Sequence, residues 1–206
     1  MSLHSQAGPG QPLYQLPAAI KPLDAVRGTV LALDWRALRS FGIYADYQTG
    51  LTLAQRTQLL EVTAGSWVPL ELVLAHYHAL DVLGLERDVI HRVGESVGEG
   101  VHGAFLSTLV RLAGKLGVSP WLALEQCYKL WVRTWRGGGI SVVRVGERVA
   151  HVSLIETPVC ASSFFCTSFA GALCAGIAPF GKSPEADEVP GSRSHNAVEY
   201  RVAWGA

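Results

Sequence analysis

The sequence predicts an α+β domain with a helical N-terminal part packed on a small antiparallel sheet. Apolar residues recur at helical spacing between residues 52 and 136, and the period changes after Gly139 to the alternation that is typical of strands. Gly146-Glu147 then offers a two-residue turn between two β-rich runs. Helices that precede the strands, rather than alternate with them, favour this arrangement.

Composition limits the classes of function. The chain has 206 residues, of which 49% are hydrophobic, and its 17 basic and 17 acidic residues cancel. This balance argues against nucleic-acid binding, which usually requires a basic surface. No apolar run reaches the ~20 residues that span a membrane, and no secretory signal pattern is present. We therefore expect a cytoplasmic protein with a flexible arm at residues 1–22 and a single domain at residues 23–206.

The first half of the domain is predicted as a short strand and a set of helices. Val26–Leu33 is β-rich, and Asp34 follows as a candidate helix cap. Thr52-Leu-Ala-Gln55 resembles a capping box, and Pro69 fits the first turn of the next helix. A stripe of apolar residues every four positions predicts a long helix over residues 86–115.

The second half begins with a strong helix start at Ser119-Pro120. The predicted helix continues to Arg136 and ends at three glycines. A hairpin over residues 140–155 and a helix over residues 164–177 follow. The chain closes with a strand at Val198–Trp204, in which apolar and polar residues alternate.

Aromatic residues form the most distinctive feature of the predicted 119–136 helix. Trp121, Tyr128, Trp131 and Trp135 recur on one face. Two interpretations stay open: the rings fill the core, or Trp131 and Trp135 line a cavity or partner groove, with Arg136 reaching an anionic group.

Residues of the predicted long helix suggest a second candidate site. Glycine inside a helix lowers its stability, so Gly94 and Gly98 call for a compensating gain. That gain is either tight packing against another helix or space for a flat ligand near His102. His91 and Glu95 are one turn apart, but no further metal ligands can be named, so we expect no metal site. Asp34 shows no paired-carboxylate pattern that distinguishes it from a solvated charge. No motif for nucleophilic catalysis is present, and we expect no enzyme activity and no catalytic residues.

Four passages resemble a bacterial family related to heme-NO-binding and 4-vinyl-reductase-type sensory domains. They are Val26-Arg-Gly-Thr-Val, Trp67-Val-Pro-Leu-Glu-Leu-Val-Leu, Trp131-Val-Arg-Thr-Trp-Arg, and the pair Ala170-Gly-Ala-Leu-Cys-Ala-Gly and Val198-Glu-Tyr-Arg-Val-Ala-Trp. The resemblance covers residues 26–204. It implies a non-catalytic regulatory module with a ligand cavity between helices and sheet.

The resemblance also raises the question of heme. It implies a Tyr-x-Ser-x-Arg motif that holds the heme carboxylates, whereas this chain has Val132-Arg-Thr-Trp-Arg136, without the Tyr. His102 lies on the helix from which an axial ligand is expected. Because the Tyr is missing, we expect no cofactor. The predicted ligand is a small hydrophobic molecule bound by His102, Trp131, Trp135 and Arg136. The alternative is an adaptor or assembly subunit with a filled core, which acts through a protein partner or as a homodimer.

Overall fold

The computed structural model describes residues 10–105 and 119–205, except the side chains of residues 102–105. The helices of these ranges are α1 Gly28–Ser40, α2 Tyr44–Thr49, α3 Leu53–Leu60, α4 Leu70–Asp81, α5 Arg87–Phe105, α6 Pro120–Glu125, α7 Cys127–Thr134 and α8 Ser163–Ile177, with a 3-10 turn at Pro158–Ala161. The strands are β1 Ala25–Arg27, β2 Trp67–Pro69, β3 Trp135–Arg136, β4 Gly139–Arg144, β5 Val149–Ile155, β6 Lys182–Glu188 and β7 Val198–Gly205.

The strands form two antiparallel sheets. The small sheet has the order β2-β1-β3 and joins the start of α1 to the start of α4 and the end of α7. The larger sheet has the order β4-β5-β7-β6. The predicted α+β class with an antiparallel sheet is therefore confirmed.

Strand β7 is the clearest success of the sequence pattern. Val198, Tyr200, Val202 and Trp204 are buried, and the residues between them are more exposed. The strand lies between β5 and β6, and the Tyr200 hydroxyl donates a hydrogen bond to the Cys166 carbonyl at 3.0 Å. It is thus an internal member of the sheet, which it ties to α8.

Helix α8 packs most closely against α5. A Cβ atom at Gly94 would lie 1.8 Å from the Ser168 carbonyl oxygen, and one at Gly171 would lie 2.1 Å from the His91 carbonyl oxygen. A Cβ at Gly98 would come within 2.8 Å of Ala172 and Ala175. Gly94 and Gly98 therefore allow tight packing of α5 on α8. This is the first of the two reasons that the sequence suggested for these glycines.

The predicted strand at Val26–Leu33 is wrong beyond its first residues. Only Ala25–Arg27 is extended, and α1 begins at Gly28. The β-branched residues suggested a strand, but Val30, Leu31, Asp34 and Leu38 are buried at helical spacing on one face. Tertiary burial has overridden the local propensity.

The predicted 119–136 helix is divided into α6 and α7. Ser119 caps α6 as expected, its hydroxyl accepting from the Trp121 amide at 3.2 Å. The Gln126 amide then donates a hydrogen bond to the Ala123 carbonyl, three residues back. This tighter turn ends α6, and α7 begins at Cys127. As a result the aromatic stripe splits: Trp121 packs on Trp204 instead of continuing the row.

Residues 10–14 lie along the outer edge of β4. Pro12 is paired with Val143, the Leu13 amide bonds to the Val142 carbonyl at 2.9 Å, and the Tyr14 hydroxyl bonds to the Ile140 carbonyl at 3.1 Å. The division into an arm at residues 1–22 and a domain at residues 23–206 stays a prediction. The predicted helix over residues 106–115 lies outside the described residues.

Candidate ligand cavity

An apolar cavity of about 160 Å³ lies within the helical layer. Helices α1, α4, α5, α6, α7 and α8 contribute to its lining, and the strands supply Trp135 from β3 and Ile140 from β4. Gly98 and Ala172 also line it, so the cavity begins where the close contact of α5 with α8 ends.

Aromatic rings form one continuous wall of the cavity. Trp131 and Trp135 are stacked, with centroids 4.9 Å apart and an interplanar angle of 11°. Trp135 then contacts Phe165 edge-on at 5.7 Å, and Phe165 contacts Tyr77 at 5.2 Å. The stacked pair presents flat, rigid surfaces, as suits a planar apolar ligand.

Most polar groups of the lining already bond to the protein. The Trp131 indole N–H donates to the Gly137 carbonyl at 3.2 Å, and the Thr134 hydroxyl donates to the Leu130 carbonyl at 2.8 Å. The Cys127 thiol faces the Ala123 carbonyl at 3.9 Å, and burial raises its pKa to about 12. These groups therefore leave the wall apolar in character.

The polar end of the cavity is formed by Asp34 and Tyr77. Asp34 is only 3% exposed although it is a carboxylate. Its Oδ2 accepts from the Tyr77 hydroxyl at 3.3 Å and lies 3.3 Å from Nε2 of His76, which is completely buried. Both contacts involve Oδ2, and Oδ1 has no partner among the described residues.

A chain of hydrogen bonds behind Asp34 fixes its partners. Nδ1 of His76 lies 2.8 Å from the Tyr47 hydroxyl, which also accepts from the Trp35 indole N–H at 3.4 Å. With Tyr47 donating to Nδ1, Nε2 carries the proton and donates to Asp34. Burial, with Asp34 as a smaller contribution, raises the pKa of both Tyr47 and Tyr77, so both hydroxyls stay protonated donors.

The structure brings some of the predicted site residues together and separates others. Trp131 and Trp135 are both buried and line the cavity. Arg136 does not line it: its side chain is 55% exposed and bonds to Asp24 at 2.6 Å. His102 lies in α5, and its side chain is outside the described residues. The role of these residues in ligand binding stays a prediction.

Sequence reasoning missed Asp34 and His76. Asp34 was not distinguished from a solvated charge and His76 was not singled out, yet both side chains are buried. The signal was present in the spacing: Asp34 falls on the face of Val30 and Leu38, and His76 on the face of Val73 and Leu80. A charged residue on a buried face predicts a hydrogen-bonded partner.

His91 and Glu95 were considered as metal ligands, and Nδ1 of His91 lies 3.6 Å from Oε1 of Glu95. Within residues 10–105 and 119–205, no group of three or more metal-ligating side chains is found. In the same ranges no helix is both long and apolar enough to cross a membrane.

Comparison with known proteins identifies the fold. No protein-family model matches the chain, and neither does any curated protein. Among solved structures, an unliganded Fe(II) H-NOX variant from K. algicida is 11% identical, with a TM-score of 0.60 over 87% of this chain and 97% of that one. A T. tengcongensis H-NOX variant is 11% identical, with a TM-score of 0.58 over 87% and 98%. An oxygen complex of an H-NOX domain related to soluble guanylate cyclases is 12% identical, with a TM-score of 0.54 over 87% and 95%.

These neighbours correct one prediction. We expected no cofactor, but the matching structures include proteins whose heme redox potential and heme distortion were studied. The prediction of no cofactor is therefore wrong, because structures that share this fold bind heme. The helices and sheets described above have the fold of the H-NOX domains.

Proposed function

We propose that this chain is a non-catalytic sensory domain that holds a flat, largely apolar ligand in the cavity, and that heme is the first ligand to test. The observation that carries the proposal is the apolar cavity of about 160 Å³ walled by the stacked Trp131 and Trp135. A void of this kind costs stability unless something fills it, so its retention favours a ligand. Neighbours of the same fold that bind oxygen or undergo activation support a sensory role.

Volume separates two kinds of ligand. An apolar cavity of about 150 Å³ holds a benzene molecule, whereas drug-sized ligands occupy about 300–1,000 Å³. The cavity therefore suits one or two fused rings in its present shape, and a tetrapyrrole requires the lining to move.

The residues present fit heme only in part. The aromatic wall offers a suitable apolar surface for a macrocycle. The carboxylate grip does not fit, because Val132 is 49% exposed, Thr134 bonds to its own helix and Arg136 bonds to Asp24. Heme binding by this chain therefore requires contacts other than those of the Tyr-x-Ser-x-Arg motif.

The cavity argues against the alternative of an adaptor with a filled core. A protein partner, a homodimer, relatedness to 4-vinyl-reductase-type domains, a bacterial origin and a cytoplasmic location stay predictions. A signalling module of this kind passes ligand binding on to a second protein or domain, so a partner remains part of the proposal.

The first experiment is native mass spectrometry with an absorption spectrum of the protein purified from cells, repeated after incubation with hemin. A Soret band with the mass of intact heme identifies heme as the ligand. A smaller bound mass without a Soret band identifies a small apolar ligand. Protein that carries no added mass and binds neither hemin nor naphthalene contradicts the proposal.

A cavity-filling variant tests the location of the ligand. Leu130→Trp places an indole at the cavity wall, and we expect it to weaken binding of hemin or naphthalene at least tenfold. Its matched control is Arg133→Trp, which adds the same ring to the exposed face of α7. Equal binding by both variants shows that the ligand lies elsewhere.

A further inference from the structure

We infer that the polar end of the cavity is a recognition site for a hydrogen-bond donor, so that the ligand is an aromatic molecule carrying one N–H or O–H group. This inference rests on the proposed function, since it assumes that the cavity is occupied. The acceptor is the carboxylate of Asp34, which lines the cavity and whose Oδ1 has no partner among the described residues.

The geometry behind Asp34 explains why an acceptor is presented. Tyr77 and His76 both donate to Oδ2, and the chain through Tyr47 to Trp35 fixes the direction of the His76 donor. Each proton of the network is therefore already committed to a protein acceptor. The carboxylate therefore has unused acceptor capacity, and Asp34 lines the cavity.

The rest of the described lining offers no equivalent group. Thr134, Trp131 and Cys127 direct their donors to backbone carbonyls, and Ser168 contributes a neutral hydroxyl. Asp34 is the one carboxylate among the described lining residues. An apolar ligand would cover this acceptor without offering it a donor, which is costly, so a ligand with a donor is preferred over an apolar one of the same shape.

The aromatic wall sets the ligand's second property. Tyr77 belongs both to the polar end and, through Phe165, to the wall that leads to Trp135. A flat ring that stacks along this wall reaches Asp34 with its edge, where an N–H or O–H group lies in the ring plane. The two features together select a flat aromatic ring with one donor at its edge.

The test compares two ligands of nearly identical shape. Indole carries a ring N–H, and benzothiophene has sulfur in its place. Binding of both is measured by calorimetry to protein that native mass spectrometry shows to be ligand-free. A hydrogen bond to a charged acceptor is worth about 1.5–3 kcal/mol, so we expect indole to bind roughly 10- to 150-fold more tightly.

Two variants locate the effect. Asp34→Asn removes the charge in a nearly isosteric side chain, and we expect the preference for indole to fall to a few-fold. Asp46→Asn makes the same change at an exposed residue of α2 that does not line the cavity, and we expect it to keep the full preference. Circular dichroism and thermal melting establish that each variant is folded.

The outcomes distinguish this inference from the proposed function. Equal binding of indole and benzothiophene by the parent protein overturns the donor site while leaving the cavity as a ligand site. Binding of neither ligand contradicts both. An indole preference that is undiminished in Asp34→Asn, which keeps only a neutral amide acceptor, shows that the Asp34 carboxylate is not the acceptor and overturns the assignment to Asp34.

Discussion

Helix α8 has α5 on one side and the aromatic residues of α7 and β3 across the cavity on the other, and the two sides are built from opposite kinds of residue. Toward α5, glycines bring the helix backbones so close that a Cβ at Gly94 would lie 1.8 Å from a carbonyl oxygen of α8. Toward α7, the bulky rings of Trp131 and Trp135 leave about 160 Å³ unfilled. Small side chains have produced the closer packing, and large ones the space.

This difference separates a rigid contact from a compliant one. Where backbones touch, any relative shift of α5 and α8 meets hard repulsion, because close-packed interiors do not deform continuously. Where rings border a cavity, a ligand can enter or a side chain can rotate at lower cost. A change caused by the ligand is therefore expected to move α7, while α5 and α8 stay together.

Replacing Trp131 with Ala gives the largest effect that we expect on the compliant side. The ring is 3% exposed and stacks on Trp135, so its loss destabilises the protein by about 3–5 kcal/mol, measured by urea unfolding. The neighbouring exposed residue provides a control: Val132→Ala should change stability by less than about 0.5 kcal/mol. A loss below about 1 kcal/mol for Trp131→Ala shows that this wall contributes little to the core.

Adding one methyl group tests the rigid side. Gly94→Ala gains about 1 kcal/mol of helix propensity but forces α5 away from α8, and overpacking of this kind costs roughly 1–3 kcal/mol or more. The 1.8 Å approach to a backbone oxygen places the cost at the upper end of this range, about 3 kcal/mol, so we expect a net loss of about 2 kcal/mol. Gly100→Ala is the matched control in the same helix, because its Cβ would meet only the end of the flexible Leu33 side chain. Equal stability of the two variants removes the distinction between the two sides of α8.

The chemistry of Cys127 gives a smaller effect. Burial raises its pKa to about 12, so at pH 8 only about one thiol in 10,000 is the reactive thiolate. We expect iodoacetamide to leave Cys127 unmodified in the folded protein and to modify it fully in urea, as located by peptide mass spectrometry. Reactivity should rise with pH toward that pKa. Rapid modification of the folded protein at pH 8 means that solvent enters the cavity freely.

The predictable parts of the fold were those with a local cause. The Thr52–Gln55 capping box, the Ser119 cap and the alternation of β7 are all present. The start of α1 and the break at Gln126 were not predicted, because long-range burial and a single tightened turn determine them. Strand β6 was also missed, since its polar residues lie at a sheet edge and need no apolar alternation.

The candidate site was predictable only where composition is distinctive. The two indoles of Trp131 and Trp135 stand out in the sequence and line the cavity. Arg136 was placed there by proximity along the chain, but β3 directs its side chain toward Asp24. Asp34 and His76 are 42 residues apart. They come together because β1 and β2, which lead into α1 and α4, pair in the small sheet.

The pairing of residues 10–14 with β4 affects the tendency of the protein to aggregate at high concentration. Strand β4 is an edge of the larger sheet, and an uncovered edge invites pairing with a second chain and aggregation. Pro12 and its neighbours occupy those backbone groups. The opposite edge, β6, is protected differently, by Pro184 and a series of charged side chains. Deletion of residues 1–14 therefore exposes this edge of the sheet, and we expect the shortened chain to form amyloid-like aggregates under conditions in which the intact chain does not.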